Sequence, residues 1–318
     1  MKNRRLCLFD KILFLLLSII LIENLSCQKE KKELIESKKN NPPIITSVTI
    51  LPEKPDIESE LSAVIRSEDP DGDPITYYFQ WIKNDEEILG ENKSTLSKGK
   101  FKKGDLISIK VTPSDGKSNG KAFISLPVKI LNSPPVIEKV WIEPKVAYVT
   151  DNLTVNIKSY DKDGDFIYYT YRWEKNGVEM SDEKSEVLGK GKFKKGDSIT
   201  VTVIPDDREA MGNPKKSDPV VISNSPPIIV SSPPTSVSGM SYTYQVRAED
   251  PDQDKITFNL KAAPKGMVIE KDTGLIKWQL SKDLKGSHLV EIEAVDNEGA
   301  QSLQRYTLNL DFITKSLK

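Results

Sequence analysis

The sequence predicts an all-β protein: three tandem β-sandwich domains following a signal peptide and a flexible tether. Three observations lead there. First, Asp161-Lys-Asp-Gly-Asp165, Tyr169, Tyr171, Trp173, Asn176 and Phe193-Lys-Lys-Gly-Asp197 repeat a text that stands 92 residues upstream (161 against 69). That text is Asp69-Pro-Asp-Gly-Asp73, Tyr77, Phe79, Trp81, Asn84 and Phe101-Lys-Lys-Gly-Asp105, and about 38 of 90 aligned positions are identical without a gap. Second, Asn132-Ser-Pro-Pro135 recurs as Asn224-Ser-Pro-Pro227, opening a more divergent third copy whose acidic turn is Asp250-Pro-Asp-Gln-Asp254. Third, apolar residues alternate with period 2 between Gly- and Pro-rich turns, and capped helix-period stretches are absent after residue 40. A period near 90 residues is the size of a small sandwich.

The chain of 318 residues divides on this reading into a signal peptide (1–26), a tether opening on Cys27 (27–40) and domains at 41–131, 132–223 and 224–318. With 46 basic and 47 acidic side chains intermixed, the net charge is −1, so no field of one sign attracts nucleic acid. The only cysteines, Cys7 and Cys27, precede the repeats and staple none of them.

Lys2, Arg4 and Arg5 form a basic start, and Ile12 to Ile22 is an uncharged run, polar only at Ser18. Eleven helical residues span about 16 Å, roughly half a bilayer, which fits a signal-peptide core better than a membrane span. An uncleaved helix from Leu6 to Leu25 would have to bury Asp10, Lys11 and Glu23. Gln28 to Asn40 is mostly charged, with only Leu34 and Ile35 to bury, and reads as a tether.

In the first repeat, two prolines at Pro42 and Pro43 stiffen the entry. Strands are expected at Ile44 to Leu51 and at Glu60 to Ser67, the latter with Leu61, Ala63 and Ile65 on one face. After the acidic turn, Ile75 to Lys83 carries Tyr77, Phe79 and Trp81 on one face, an aromatic file expected in the core. Leu106 to Thr112 is rich in β-branched residues. Pro113 is expected to end that strand, and Ala122 to Leu131 carries Pro127, which suits an edge or bulge.

The second repeat predicts strands at 136–142, 153–160, 167–175, 198–204 and 220–223, with Tyr169, Tyr171 and Trp173 as its aromatic file and a longer mobile loop at 206–218. The third predicts strands at 241–248, 256–260, 274–278, 287–295 and 301–311, with Phe258 and Leu260 in the places of Tyr169 and Tyr171.

Glu23-Asn-Leu-Ser-Cys27 resembles the lipobox of bacterial lipoproteins, with Ser26 fitting the position before the lipidated cysteine. Asn24 stands where that pattern usually has leucine. The resemblance implies lipidation at Cys27 and, because Gln28 rather than aspartate follows, an outer-membrane or cell-surface location. The third repeat resembles the putative-Ig and cadherin-like modules of bacterial surface proteins. It carries their Asp-Pro-Asp-x-Asp turn, Pro-Lys-Gly-Met267, Asp272-Thr-Gly-Leu-Ile-Lys-Trp278 and Val295-Asp-Asn-Glu-Gly299. The first two repeats look like related immunoglobulin-like repeats. The resemblance implies stalks, spacers or binding platforms, without naming a ligand.

Catalysis is not expected. His288 is the single histidine, the chain has no His-Glu-x-x-His and no Cys pair in the repeats, and the carboxylates lie in solvent-side turns. The acidic turns read first as residues bonding their own backbone. An EF-hand loop needs Gly at its sixth position, whereas Gly72 and Gly164 are fourth. In a sandwich of immunoglobulin type, however, the second-to-third and sixth-to-seventh strand loops share one end. That places Asp161, Asp163 and Asp165 near Asp206 and Asp207, beside Pro134-Pro135, and Asp250, Asp252 and Asp254 near Asp296, beside Pro226-Pro227. Calcium is the cofactor this convergence suggests, with a weaker or empty site in the first repeat, which only the tether precedes. The functional expectation is a non-catalytic, lipid-anchored adhesion, spacer or assembly module with a protein or glycan partner. The alternative is a carbohydrate- or peptidoglycan-binding module using Tyr78, Tyr168 and Trp141.

Overall fold

In the computed structural model, residues 39–310 are described, apart from 235, 236, 238, 282 and 283. The expected signal peptide, the tether up to residue 38 and the lipidation site Cys27 lie outside the described residues. Every regular element among the described residues is a strand. The chain forms several immunoglobulin-like β-sandwiches, gathered into two compact units, one ending at Leu131 and one starting at Asn132.

In the first unit, Ile44–Leu51, Leu61–Glu68 and Thr95–Leu96 make one sheet. The other contains Glu86–Glu87, Thr76–Lys83, Leu106–Ser114 and Phe123–Ile124, with Val128–Lys129 also pairing on Leu106–Ser114. Pro113 does not end its strand as expected; pairing with Tyr77 continues through it to Ser114. Pro127 splits the last predicted strand into two short pieces, as a missing N–H dictates. Alternation places Leu61, Trp81, Ile107, Ile109 and Val111 in the core, and Tyr77 and Phe79 pack at its edge.

The second unit holds two sandwiches. The first of them copies this plan: Val136–Glu143, Leu153–Tyr160 and Val187–Leu188 face Val178–Glu179, Tyr168–Lys175, Ser198–Asp206, Lys215–Lys216 and Val220–Val221. The segment expected as a long loop at 206–218 carries the strand Lys215–Lys216. It is organised by Asp207, whose Oδ1 accepts the N–H groups of Glu209 and Ala210. Trp173 is fully buried and donates its Nε1–H to the Ser185 carbonyl at 2.9 Å. Trp81 does the same with Lys93 at 2.9 Å. Each indole thus pins the irregular segment between two strands and leaves no buried donor unmet.

In the last sandwich Thr257–Ala262, Ser287–Val295 and Gln301–Asn309 form one sheet, and Ser241–Gln245, Leu275–Gln279 and Val268–Ile269 another. Phe258 is buried and Leu260 packs beside it. The tryptophan role passes to Trp278 on the other sheet, buried and bonded to the Lys265 carbonyl at 3.1 Å. His288 meets its ring edge-on at 5.4 Å, a packing role.

Candidate functional site at the domain entrances

Each sandwich carries one acidic turn built identically. Asp69, Asp161 and Asp250 each accept with Oδ1 the N–H groups two and four residues on, at 2.8–3.3 Å. The turn therefore closes on its own first aspartate, as an Asx turn does, and Gly72 and Gly164 supply the positive φ it needs. One consequence is that Oδ2 of Asp69, Asp161 and Asp250 is buried without a hydrogen-bond donor. Oδ1 of Asp163 and Asp252 is in the same condition. Buried charged oxygens without donors raise the free energy unless a cation or proton meets them.

A second acidic loop lies alongside. Asp115, Asp207 and Asp296 each use Oδ1 to cap their own turns through two backbone N–H groups. Their Oδ2 accepts Nδ2–H from Asn40, Asn132 and Asn224 respectively, at 2.6–2.8 Å. The next residue of the chain, Asn41, Ser133 or Ser225, donates its backbone N–H to Asp71, Asp163 or Asp252 at 2.5–2.7 Å. Two consecutive entry residues thus sew the two acidic loops together in every repeat. Burial works against ionising Asp296, but Asn224 and the N–H groups of Glu298 and Ala300 outweigh it and hold its carboxyl below the usual range. The Asn40 bond and the backbone donors of Ser118 and Lys117 do the same for Asp115.

Three carboxylate groups, Asp69/Asp71/Asp73, Asp161/Asp163/Asp165 and Asp250/Asp252/Asp254, each bring their oxygens within 4.8 Å of one another. Asp206, Asp207 and Asp296 are not members. Asp206 caps Arg208, and Asp207 and Asp296 are committed to their turns and to the entry asparagines. The first repeat has the same sewing bonds, from Asn40 and Asn41 of its own entry segment, but there Asn41 also reaches both Asp71 oxygens through Nδ2 at 3.4 Å and no serine hydroxyl stands at the entry. The donors are all oxygen, and Ser133 and Ser225 hold buried, unpartnered hydroxyls beside them. A hard cation such as calcium suits that set.

The sequence reading passed over the entry asparagines and two glycines. Gly120 and Gly212 lie under the entry prolines, where an added Cβ would stand 2.0 Å and 1.9 Å from the Pro43 and Pro135 carbonyl oxygens. Their signal was their recurrence 92 residues apart (212 against 120) in an otherwise divergent stretch. Two of the aromatic residues expected to stack on sugars do not share a face. Trp141 and Tyr168 sit on opposite sheets of one sandwich, and the Arg208 guanidinium covers the Tyr168 ring at 4.0 Å.

These features define a class: a protein of several Ig-like β-sandwich domains. Residues 219–311 match the family model described as Putative Ig domain. Among solved structures, the three N-terminal domains of the bacteriophage RB49 Highly Immunogenic Outer Capsid protein are 12% identical. That match covers 84% of this chain and 99% of the other, with a TM-score of 0.28. Sidekick-1 immunoglobulin domains 1–5 are 14% identical over 86% of this chain and 60% of theirs, with a TM-score of 0.34. Protocadherin Gamma B2 extracellular cadherin domains 3–6 are 13% identical over 84% and 77%, with a TM-score of 0.28. No curated protein matches the chain. Among the described residues the acidic turns are the only groups of three or more His, Cys, Asp or Glu side chains whose ligand atoms all lie within 4.8 Å of one another.

Proposed function

We propose that the chain is a lipid-anchored spacer or adhesion arm whose sandwiches present a binding surface for a protein or glycan partner away from a membrane. The observation that carries this reading is economy of structure. The described chain folds into sandwiches, and a recurrent acidic feature, the sewn turn, sits at each domain entrance. Attachment through Cys27 and an outer-membrane or cell-surface location rest on the lipobox-like stretch. Calcium is the cation proposed for the turns, held by Asp161, Asp163 and Asp165 with Ser133, and by Asp250, Asp252 and Asp254 with Ser225. The ion would supply positive charge to oxygens that have no donor. Extracellular sites of this kind work at about 10⁻⁴–10⁻³ M.

Two experiments test the proposal. Cys27→Ala in a Gram-negative host should lose palmitate labelling and move to soluble fractions; retention in membranes would defeat the anchor. Titration of the full chain with calcium to about 5 mM should release or absorb heat, and Asp163→Ala should remove one site. No heat at that concentration would return the aspartates to turn-forming alone.

A further inference from the structure

The signature Phe193-Lys-Lys-Gly-Asp197 is accounted for within its own sandwich except at one position. Phe193 is buried in the core. Gly196 turns at φ 83° and donates its N–H to the Ile222 carbonyl. Asp197 accepts the Lys194 N–H at 2.8 Å and holds Asn176 at 2.7 Å. The Lys195 side chain turns away from its own sandwich, and its partners lie beyond that sandwich's end. Its Nζ contacts Asp254 of the acidic turn, Glu298 of the second acidic loop at 2.6 Å and Asn224 Oδ1 of the entry segment at 2.9 Å.

An ammonium has three donors, and here each goes to a different segment of the following domain. Lys195 and Asp254 are 23% and 15% exposed, so salt screens this contact less than the surface pairs elsewhere in the chain. Asn224 accepts from Lys195 through Oδ1 while donating to Asp296 through Nδ2, so the lysine also fixes the residue that sews the loops. These bonds raise the proton affinity of Lys195, keeping it charged at any physiological pH.

We propose that Lys195 is an intrachain cationic latch, which docks the second sandwich onto the acidic entrance of the third and sets their orientation without any metal. The same lysine stands at position 103 of the first repeat. The proposal is independent of whether the acidic turns bind calcium.

The test is hydrogen exchange on the full chain in chelator at low salt, read at segments 223–230 and 250–255, with the strand Ser198–Asp206 as a check on folding. Lys195→Gln should raise exchange in both segments on the order of tenfold, the effect of losing a charge-assisted hydrogen bond, and leave the strand protected. Lys195→Arg should restore most of the protection. Lys194→Gln removes the same charge one residue away and should change neither segment. Glu298→Gln added to Lys195→Gln should cost little more, because both variants break one interaction. Wild-type exchange in Lys195→Gln, an equal effect from Lys194→Gln, or additive effects in the double variant would each overturn the latch. Because chelator is present throughout, a failure here leaves the calcium titration untouched, and the reverse holds.

Discussion

Trp173→Ala is the sharpest test of how these sandwiches are held. The indole is fully buried in a core that also holds Leu153, Leu188, Val201 and Val203. A buried tryptophan removes about 200 Å² from water, which at about 25 cal/mol per Å² is about 5 kcal/mol as an upper figure. Alanine retains a little of that, and large-to-small changes of this kind cost about 3–5 kcal/mol. The Ser185 carbonyl also loses its donor, worth about 1 kcal/mol more. Domains of this size are stable by about 5–15 kcal/mol, so the second sandwich should lose most of its stability while the first keeps its own. Native-state exchange on the full chain resolves this: amides of Leu153–Tyr160 and Ser198–Asp206 should exchange about a thousandfold or more faster, and those of Leu61–Glu68 should not change. Trp173→Phe should lie between. A loss below about 1.5 kcal/mol in Trp173→Ala would show that the indole is not what joins the sheets.

Gly212→Ala should destabilise the same sandwich by about 2 kcal/mol or more in denaturant titration, since its Cβ would sit 1.9 Å from the Pro135 carbonyl oxygen and backbone must shift. Thermal stability should be flat from neutral pH down to about 5 and fall below about pH 4. Asp115 and Asp296 have lowered folded-state affinities for protons, so their contribution is present above the unfolded value and lost as pH drops through the folded one. Asp296→Asn should blunt that fall in the third sandwich. A glycan array probed with the full chain should give no signal that Trp141→Ala removes, because Trp141 and Tyr168 lie on opposite sheets and Arg208 covers the Tyr168 ring.

The long strands were legible because one face is buried and the other wet, which writes period 2 into Leu61–Glu68 and Leu153–Tyr160. The gapless repeat then wrote this pattern twice. Two-residue pairings such as Glu86–Glu87 and Val187–Leu188 were not legible, because two residues have no period. Tertiary pairing also carried Leu106–Ser114 through a proline that local chemistry reads as a stop. At the entrances, the aspartates announce themselves by spacing, but their closing partners are remote: Asn132 binds a residue 75 positions on, and Lys195 one 59 positions on. Only the fold brings such pairs together. The repeated asparagine and lysine were visible as identities whose reason lay in three dimensions.

The latch and the proposed calcium site share Asp254 but otherwise act on different oxygens of one entrance, and that separates their consequences. Five carboxylates converge there: Asp250, Asp252, Asp254, Asp296 and Glu298. A single ammonium answers Asp254 and Glu298, while backbone and asparagine donors answer Asp296 and one oxygen of Asp250. Asp250 Oδ2, Asp252 Oδ1 and the Ser225 hydroxyl receive none of these. Lys195 therefore leaves most of the negative charge in place, and a divalent ion bound at the remaining oxygens need not expel it. Lys195→Gln should then keep the calcium heat and tighten binding severalfold, since a nearby positive charge is gone. Asp252→Asn should weaken calcium binding while leaving segment 223–230 protected in chelator to within the loss of the Ser225 contact. Loss of calcium binding in Lys195→Gln would mean that ion and ammonium share one site cooperatively, and that the two readings of this entrance are a single one.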